Sequence, residues 1–269
     1  MTSNGRKHPI VLVFASLLAM LILAVVAPTN ALADDPLEGP IILIGGGIQR
    51  MPAWMGADNQ RNQAVPFIQA ELPWHITLST ADGLTVDLIH ESKWHGGLYG
   101  NYQWGRDRSE LGPQLQGIVD SLPARLNVGG YLEYDITVPL SVGTTVSHDT
   151  NGAGAYFTLY ASYDLPAIGY LMHNVELEWQ GMNGPAMRRF FGVTPQQAAQ
   201  LQVTPWDPDS SSQQIALEYG AFMPTSLHTG IALLVNYTRL LDQAADSPLV
   251  RHFGNANQLT TTLAFTYRF

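Results

Sequence analysis

The residues that could carry out catalysis are few in this sequence. Ser147, His148 and Asp149 are the residue types of a nucleophilic relay, in which a base activates a hydroxyl group and a carboxylate orients the base. They are adjacent, however, and adjacent residues of a strand point to opposite faces, so a polar strand end entering a turn explains them more simply. The sequence predicts no catalytic residue and no enzymatic activity, and a hydrolase is the least favoured of three functions.

The other histidines and one arginine pair give no cofactor or metal site. His90, His95 and His173 are scattered without the spacing of metal ligands, and positions at a membrane interface explain them. Arg188 and Arg189 stand beside two phenylalanines, which predicts either a loop folded inward or a contact with the phosphates of lipopolysaccharide. We therefore expect no bound cofactor and no metal ion.

Two charged motifs point to a wet interior. Glu176 and Glu178 lie two residues apart on one face of a predicted strand, where carboxylates are tolerated only toward water. The motif 105–107, Gly-Arg-Asp, ends another predicted strand. It could place Arg106 opposite these carboxylates, in an ion-pair network that closes a pore.

The strand that is clearest in the sequence is the last one, 259–269. Its odd-numbered positions are apolar apart from Thr261, and its even-numbered positions are polar or small. Its length suits a tilted strand that crosses a bilayer, which needs roughly 9–11 residues. On this reading Arg268 faces a lumen, and we expect Phe265→Asp to block assembly and Thr266→Asp to be tolerated.

The first 33 residues are predicted to be a cleaved signal peptide. Arg6 and Lys7 precede an apolar run from 10 to 26, and Ala33 ends a small-residue processing site. The alternative is a transmembrane anchor, because the run approaches the roughly 17 residues that span a bilayer. Cleavage would leave a mature domain of 236 residues, 34–269, which is 269 minus 33.

Composition narrows the class of the mature chain. Without Arg6 and Lys7 it has 11 basic and 22 acidic residues, a net charge near −11, which argues against a nucleic-acid partner. The absence of cysteine excludes disulfides and cysteine metal sites. No mature segment has the apolar length of a membrane helix, so insertion into a membrane would require a closed barrel.

Alternating segments recur along the mature chain and give about twelve strands, an even number typical of bacterial barrels. With a periplasmic C-terminus, the outer connections are 50–63, 79–83, 105–124, 148–153, 181–211 and 241–257. The inner ones lie near Pro73, 91–94, 135–138, 165–168 and 224–228. Long outer loops and short periplasmic turns predict an all-β fold, an antiparallel transmembrane β-barrel. A soluble β-sandwich, the alternative, has no reason to sort its loops in this way.

Two details accompany this prediction. Thr194 followed by Pro195 predicts a short helix to Gln200, with Thr194 as its N-cap. Several aromatic residues near the predicted strand ends are expected to form the two girdles of a membrane barrel. They are Trp94, Trp104, Trp179, Tyr237, Tyr267 and Phe269.

The chain resembles the MipA/OmpV family of outer-membrane proteins. The matching stretches are Gly-Gly-Gly-Ile with Met-Pro-Ala-Trp-Met-Gly within 45–56, Gly-Arg-Asp at 105–107, 189–198 and 237–269. The chain departs from the family at Trp54, where tyrosine is usual, and 200–212 looks individual. The resemblance implies an outer-membrane barrel that joins a lytic transglycosylase to a bifunctional penicillin-binding protein at the murein layer.

We therefore expect a structural or scaffolding barrel in the outer membrane of a Gram-negative cell, in contact with lipid and lipopolysaccharide. A murein enzyme could touch only the short turns and 34–40. The alternative function is a narrow small-solute channel, and whether the loop 181–212 blocks the lumen decides between the two.

Overall fold

Twelve antiparallel strands close into one barrel. The computed structural model describes residues 42–80 and 83–269, apart from the side chain of His90. The predicted signal peptide, the segment 34–41 and residues 81 and 82 lie outside the described residues. The strands are β1 (Ile42–Pro52), β2 (Gln60–Leu72), β3 (Ile76–Ser79), β4 (Gly83–His90), β5 (Trp94–Gln103), β6 (Arg125–Thr137), β7 (Leu140–Asp149), β8 (Ala155–Ile168), β9 (Leu171–Met182), β10 (Ser211–Pro224), β11 (Thr229–Leu240) and β12 (Asn257–Arg268).

Each strand pairs with its neighbours in sequence, and β1 closes the ring against β12. In that closing ladder Gly45 pairs with Thr266 and Ile48 pairs with Leu263. A closed ring leaves no strand edge with unpaired N–H and C=O groups, which is the condition for a sheet to enter lipid. The predicted fold, an antiparallel barrel of about twelve strands, is confirmed.

Alternation along the strands gives the wall an apolar outside and a mostly polar inside. In β12 the Phe265 side chain is 56% exposed on the outside, whereas the neighbouring Thr266 is fully buried on the inside. Leu259, Leu263 and Tyr267 share the outer face. The predicted parity of this strand is therefore confirmed. Five of the six predicted girdle aromatics are exposed: Trp94, Trp104, Tyr237, Tyr267 and Phe269.

The connections sort by length between the two ends of the barrel. One end carries four long connections, 53–59, 104–124, 183–210 and 241–256, and the opposite end carries only turns of two to four residues. Two predicted inner turns are corrected in position. Strand β8 continues through 165–168 and turns at Gly169, whose φ of +64° is open to glycine, and β6 extends to Thr137 before its turn.

The long connections contain five helices: α1 (Gly112–Leu115), α2 (Gly184–Phe191), α3 (Pro195–Leu201), α4 (Asp242–Ala245) and α5 (Pro248–Phe253). The predicted helix is α3, and Thr194 caps it reciprocally with Gln197 at 3.3 and 3.0 Å. Sequence reasoning missed α2, although Asn183 as N-cap and Pro185 in the first turn are its signal. In the described part of the chain, every helix is too short or too polar to cross a membrane.

Candidate functional site

The four long connections pack together into a cap at their end of the barrel. The term cap is used for residues 53–59, 104–124, 183–210 and 241–256. One apolar cluster draws on all four connections through Trp54, Leu111, Leu115, Val193 and Leu249, among others. A second joins α2 to the strand ends through Tyr156, Met182, Met187, Phe191 and Leu240. Six of the nine largest fully buried side chains belong to the cap: Leu115, Met187, Phe191, Pro208, Ser247 and Leu249.

Helix α2 turns its apolar side inward and its arginines toward other loops. Phe190 and Phe191 are buried, and the Arg189 guanidinium lies 4.9 Å from the Phe190 ring and donates to the Pro123 carbonyl. Burial lowers the pKa of Arg189, and the nearby charge of Arg125 lowers it further. For Arg189 the structure favours the inward fold over a lipopolysaccharide contact, because its guanidinium packs within the protein. Arg188 is exposed, with Nε 3.7 Å from Asp207, and its contact with lipopolysaccharide stays a prediction.

Arg106 clamps the second long connection to α2. Its side chain is buried, and it donates from Nε to the Asp120 carbonyl at 3.1 Å and from Nη1 to the Phe190 carbonyl at 3.0 Å. The backbone of Arg106 also exchanges two hydrogen bonds with Leu122, at 3.0 and 2.9 Å. The predicted ion-pair network is wrong, because Arg106 binds main-chain carbonyls instead of Glu176 or Glu178. That Arg106 helps to close a pore stays a prediction.

Arg106 is charged at neutral pH despite its burial. Burial lowers its pKa to about 10, against the opposing effect of the Asp120 carboxylate. A group with that pKa is protonated at neutral pH, so each hydrogen bond to a carbonyl is charge-assisted. The preceding Gly105 makes the approach possible, since a Cβ at that position would collide with the Leu122 carbonyl oxygen.

A second buried charge stands where the cap meets the barrel wall. Asp149 has a fully buried side chain that pairs with Arg125 Nη1 at 2.5 Å and accepts from the Tyr156 hydroxyl at 3.1 Å. The partners come from three consecutive strands, β6, β7 and β8. A carboxylate satisfied by a cation and a hydroxyl in this way ties the strands together at the long-loop end.

The structure separates the three residues that could have formed a relay. Ser147 and Asp149 are buried on the inner face of β7. His148 points to the outer face, and its Nδ1 lies 2.8 Å from the backbone carbonyl of Asp149. The predicted absence of a Ser-His-Asp relay follows directly from strand alternation, as the geometry now shows.

The inner wall below the cap is rich in carboxylates. Glu176 and Glu178 on β9 and Glu218 on β10 face the lumen, as predicted for the first two. Neutral donors hold two of them: Gln214 Nε2 lies 3.3 Å from Glu178, and Asn236 Nδ2 lies 3.0 Å from Glu218. The inner wall is therefore acidic in character, as suits a surface that faces water.

Of the predicted interface histidines, His173 lies where expected and His95 does not. His173 sits on the outer face, with Nδ1 3.1 Å from the Tyr219 hydroxyl. His95 instead faces the lumen, with Nε2 3.3 Å from Asp135 and Nδ1 3.9 Å from Asp87. Among the described residues, no group of three or more acidic or histidine side chains could hold a metal ion.

The short-turn end presents exposed apolar tips. Trp74, Val138, Tyr170 and Leu227 are exposed, each in a different turn. The first turn has Trp74 and His75 in the left-handed region, at φ of 64° and 58°, a conformation that costs about 1 kcal/mol or more for such residues. A cleft of about 340 Å³ beside Trp74 is lined by Glu71, Thr77 and Asp87, among others.

Comparison with known proteins gives one strong match and several weak ones. A family model described as MltA-interacting protein MipA matches residues 44–269. No curated protein matches the chain significantly.

Among solved structures, the chain is similar to the NanC porin, with 7% identity over 85% of this chain and 100% of that one, at a TM-score of 0.40. It is also similar to a bacterial polysaccharide outer membrane secretin, with 9% identity over 87% and 100% of the two chains, at a TM-score of 0.43. It is also similar to OprG from Pseudomonas aeruginosa, with 10% identity over 86% of this chain and 96% of that one, at a TM-score of 0.27. The barrel assignment rests on the strand register of this chain itself.

Sequence reasoning missed the residues that hold the cap together. The side-chain partners of Arg106 and Ser247 are main-chain carbonyls: Arg106 donates to those of Asp120 and Phe190, and Ser247 Oγ donates to that of Phe191 at 2.7 Å. A carbonyl carries no residue-specific signal. What the sequence does signal is the buried face of α2, through the helical spacing of the apolar residues Met187, Phe190 and Phe191.

Proposed function

The chain belongs to the MltA-interacting protein MipA family, and from that premise we propose that this outer-membrane β-barrel is a non-enzymatic scaffold for murein enzymes. The family is named for an interaction with MltA, and we extend that interaction to this chain. Its partners would be a lytic transglycosylase and a penicillin-binding protein, met at the short-turn end in the periplasm.

The cap is the observation that carries a structural role. Leu115, Met187 and Phe191 are almost fully buried in it, and exposing each would cost roughly 1.5–3 kcal/mol. The Arg106 clamp and the Ser247 hydrogen bond join separate connections across the same end. These contacts hold the long connections together at one end of the barrel, and this supports a barrel that stays closed.

The short-turn end offers the surface that a periplasmic partner could reach. Trp74 is 82% exposed in the β2–β3 turn, and Tyr170 and Leu227 are exposed in the β8–β9 and β10–β11 turns, elsewhere on the same rim of the barrel. Exposed aromatic and aliphatic side chains grouped at one end support a protein contact, and tryptophan and tyrosine dominate binding energy at interfaces. A strained turn that holds Trp74 outward supports the same interpretation.

Binding of a purified lytic transglycosylase to the detergent-solubilised barrel tests the proposal. The wild-type barrel should retain the enzyme, and Trp74→Ala with Tyr170→Ala should weaken retention about tenfold or more, as for an interface hot spot. Arg251→Ala, an exposed cation on the cap, is the matched control and should bind like wild type. Failure of the wild-type barrel to retain the enzyme under any condition would refute the scaffold.

The alternative function, a narrow small-solute channel, is supported by the acidic inner wall below the cap. Glu176, Glu178 and Glu218 line a path that would favour cations. Conductance across a planar bilayer separates the two functions, because a channel conducts in the wild-type state. A lumen that remains closed after deletion of 183–210 would rule the channel out.

Export through a cleaved signal peptide completes the proposal. Cleavage after Ala33 would start the mature chain at Asp34, as the small residues before that bond support. Mass measurement of the protein purified from outer membranes tests it, and an intact N-terminus would favour the anchor.

A further inference from the structure

The charges of the barrel wall are sorted by face. Nine carboxylates occur in the described strands, and register places all of them on the inner face: Glu71, Asp87, Glu133, Asp135, Asp149, Asp164, Glu176, Glu178 and Glu218. Five arginines occur in the same strands, and three of them, Arg61, Arg125 and Arg268, also face inward. Among the described strand residues, the outer face therefore carries only two permanent charges, Arg50 and Arg239.

Both outward arginines lie at the long-loop end and on the same side of the barrel. Arg50 is two residues from the end of β1, and Arg239 is one residue from the end of β11. The two strands flank β12, where Arg50 pairs with Thr261 and Arg239 pairs with Asn257. The two Cα atoms are therefore separated by two strand spacings, about 10 Å, and by about 13 Å along the strands.

No partner within the described residues explains these charges. Arg50 donates to the amide of Gln60, and neither guanidinium lies within 4.0 Å of a carboxylate of the described chain. Both side chains are exposed. An arginine on the lipid face costs about 2–4 kcal/mol at the bilayer centre and about 0–1 kcal/mol near the interface, so the strand ends are where it is tolerated.

An aromatic residue marks the depth of this site. Tyr237 precedes Arg239 by two residues on the same outer face, is 46% exposed, and donates its hydroxyl to Asn257 at 2.9 Å. Tyrosine at a strand end lies at the level of the lipid headgroups. Arg239 and Arg50 thus stand at the level where phosphate groups are found, and a guanidinium binds phosphate with two parallel hydrogen bonds.

We propose that Arg50 and Arg239 form a binding site for the phosphate groups of an outer-leaflet lipid, on the outer face of β1, β12 and β11. Gln60 on β2 accepts a hydrogen bond from Arg50, and Tyr237 and Asn257 supply polar surface beside Arg239. The inference takes from the proposed function only that the long-loop end faces outward, and it does not depend on any murein partner. Lipid bound there would cover β1 and β12, the two strands that pair to close the barrel.

Native mass spectrometry of the intact barrel in detergent tests the site, with bis-phosphorylated lipid A, dephosphorylated lipid A and inorganic phosphate as probes. We expect the wild-type barrel to retain the phosphorylated lipid and to bind the dephosphorylated form and free phosphate at least tenfold more weakly. Arg50→Gln with Arg239→Gln should reduce retention of the phosphorylated lipid about tenfold for each arginine lost. Arg251→Gln, which removes an exposed cation from the cap, is the matched control and should leave it unchanged.

Three outcomes would overturn the proposal: equal retention by the double variant, equal retention of dephosphorylated lipid A, or free phosphate that binds as tightly as the lipid. Resistance of the variants to detergent without boiling confirms that they fold. If the glutamine variant fails to assemble, Arg50→Lys with Arg239→Lys replaces it. The lysines keep the charge but lose the bidentate geometry, so retention should fall severalfold while still depending on lipid phosphate.

Discussion

A single buried side chain, Arg106, shows how the cap is held. It reaches from its own connection to the Phe190 carbonyl, 84 residues further along the chain. Its charged guanidinium donates to two carbonyls that would otherwise be buried without partners. Removing the side chain therefore costs more free energy than the two hydrogen bonds contribute, because the carbonyls would be left unsatisfied.

At this scale we predict that Arg106→Ala loosens the cap by about 3 kcal/mol, because two buried carbonyls lose their donor. Limited proteolysis of the folded barrel should then cut within 104–124 or 183–210 at enzyme concentrations that leave wild type intact. Arg108→Ala changes an exposed arginine two residues away and should leave the digestion pattern unchanged. Identical protection of all three proteins would show that Arg106 is not a clamp.

The pH dependence of this clamp can also be predicted. With its pKa lowered to about 10, Arg106 is protonated in the folded and the unfolded states below about pH 9. Only between its folded pKa and its higher unfolded pKa does the unfolded chain bind the extra proton, and there the stability of the fold rises with pH. The difference in protease protection between wild type and Arg106→Ala should therefore be constant from about pH 5 to about pH 9. A difference that disappears in acid would show that the protection does not depend on Arg106 alone.

At the scale of one element, β12 carries the sharpest test of the two faces. Phe265→Asp should cost about 3 kcal/mol through loss of the apolar contact and exposure of a charge to lipid, and should reduce the assembled fraction. The expectation that Thr266→Asp is tolerated is revised, and a different inward-facing residue must serve as the control. Thr266 is fully buried, and its Oγ1 donates to the Gly230 carbonyl at 3.3 Å, so an added carboxylate has no room.

Thr260→Asp is the better inward-facing control for that test. Thr260 is partly exposed to the lumen and pairs with Asn236, which is itself polar. Assembly, measured by migration on a gel without boiling, should therefore resemble wild type for Thr260→Asp and fail for Phe265→Asp. Equal damage from the two changes would contradict the assignment of faces.

For the whole molecule, the cap decides whether the barrel conducts. We expect the wild-type barrel to give no ion conductance in a planar bilayer, because the two apolar clusters close the long-loop end. Deleting 183–210 removes α2 and α3 and should open a pore lined by carboxylates that favours cations. Steady conductance by the wild-type barrel would contradict this prediction and support the channel.

The sequence by itself determined the barrel, its strand order and the faces of its strands. Alternation with a period of two is a local property, so Phe265 and Thr266 could be assigned to opposite faces without knowing any partner. The N-cap at Thr194 is equally local. Only the tertiary structure decided that the long connections form a cap, that Arg106 binds carbonyls, and that Arg50 and Arg239 flank one strand. These facts depend on residues far apart in the chain meeting through close packing and main-chain groups, for which a sequence carries no periodic signal.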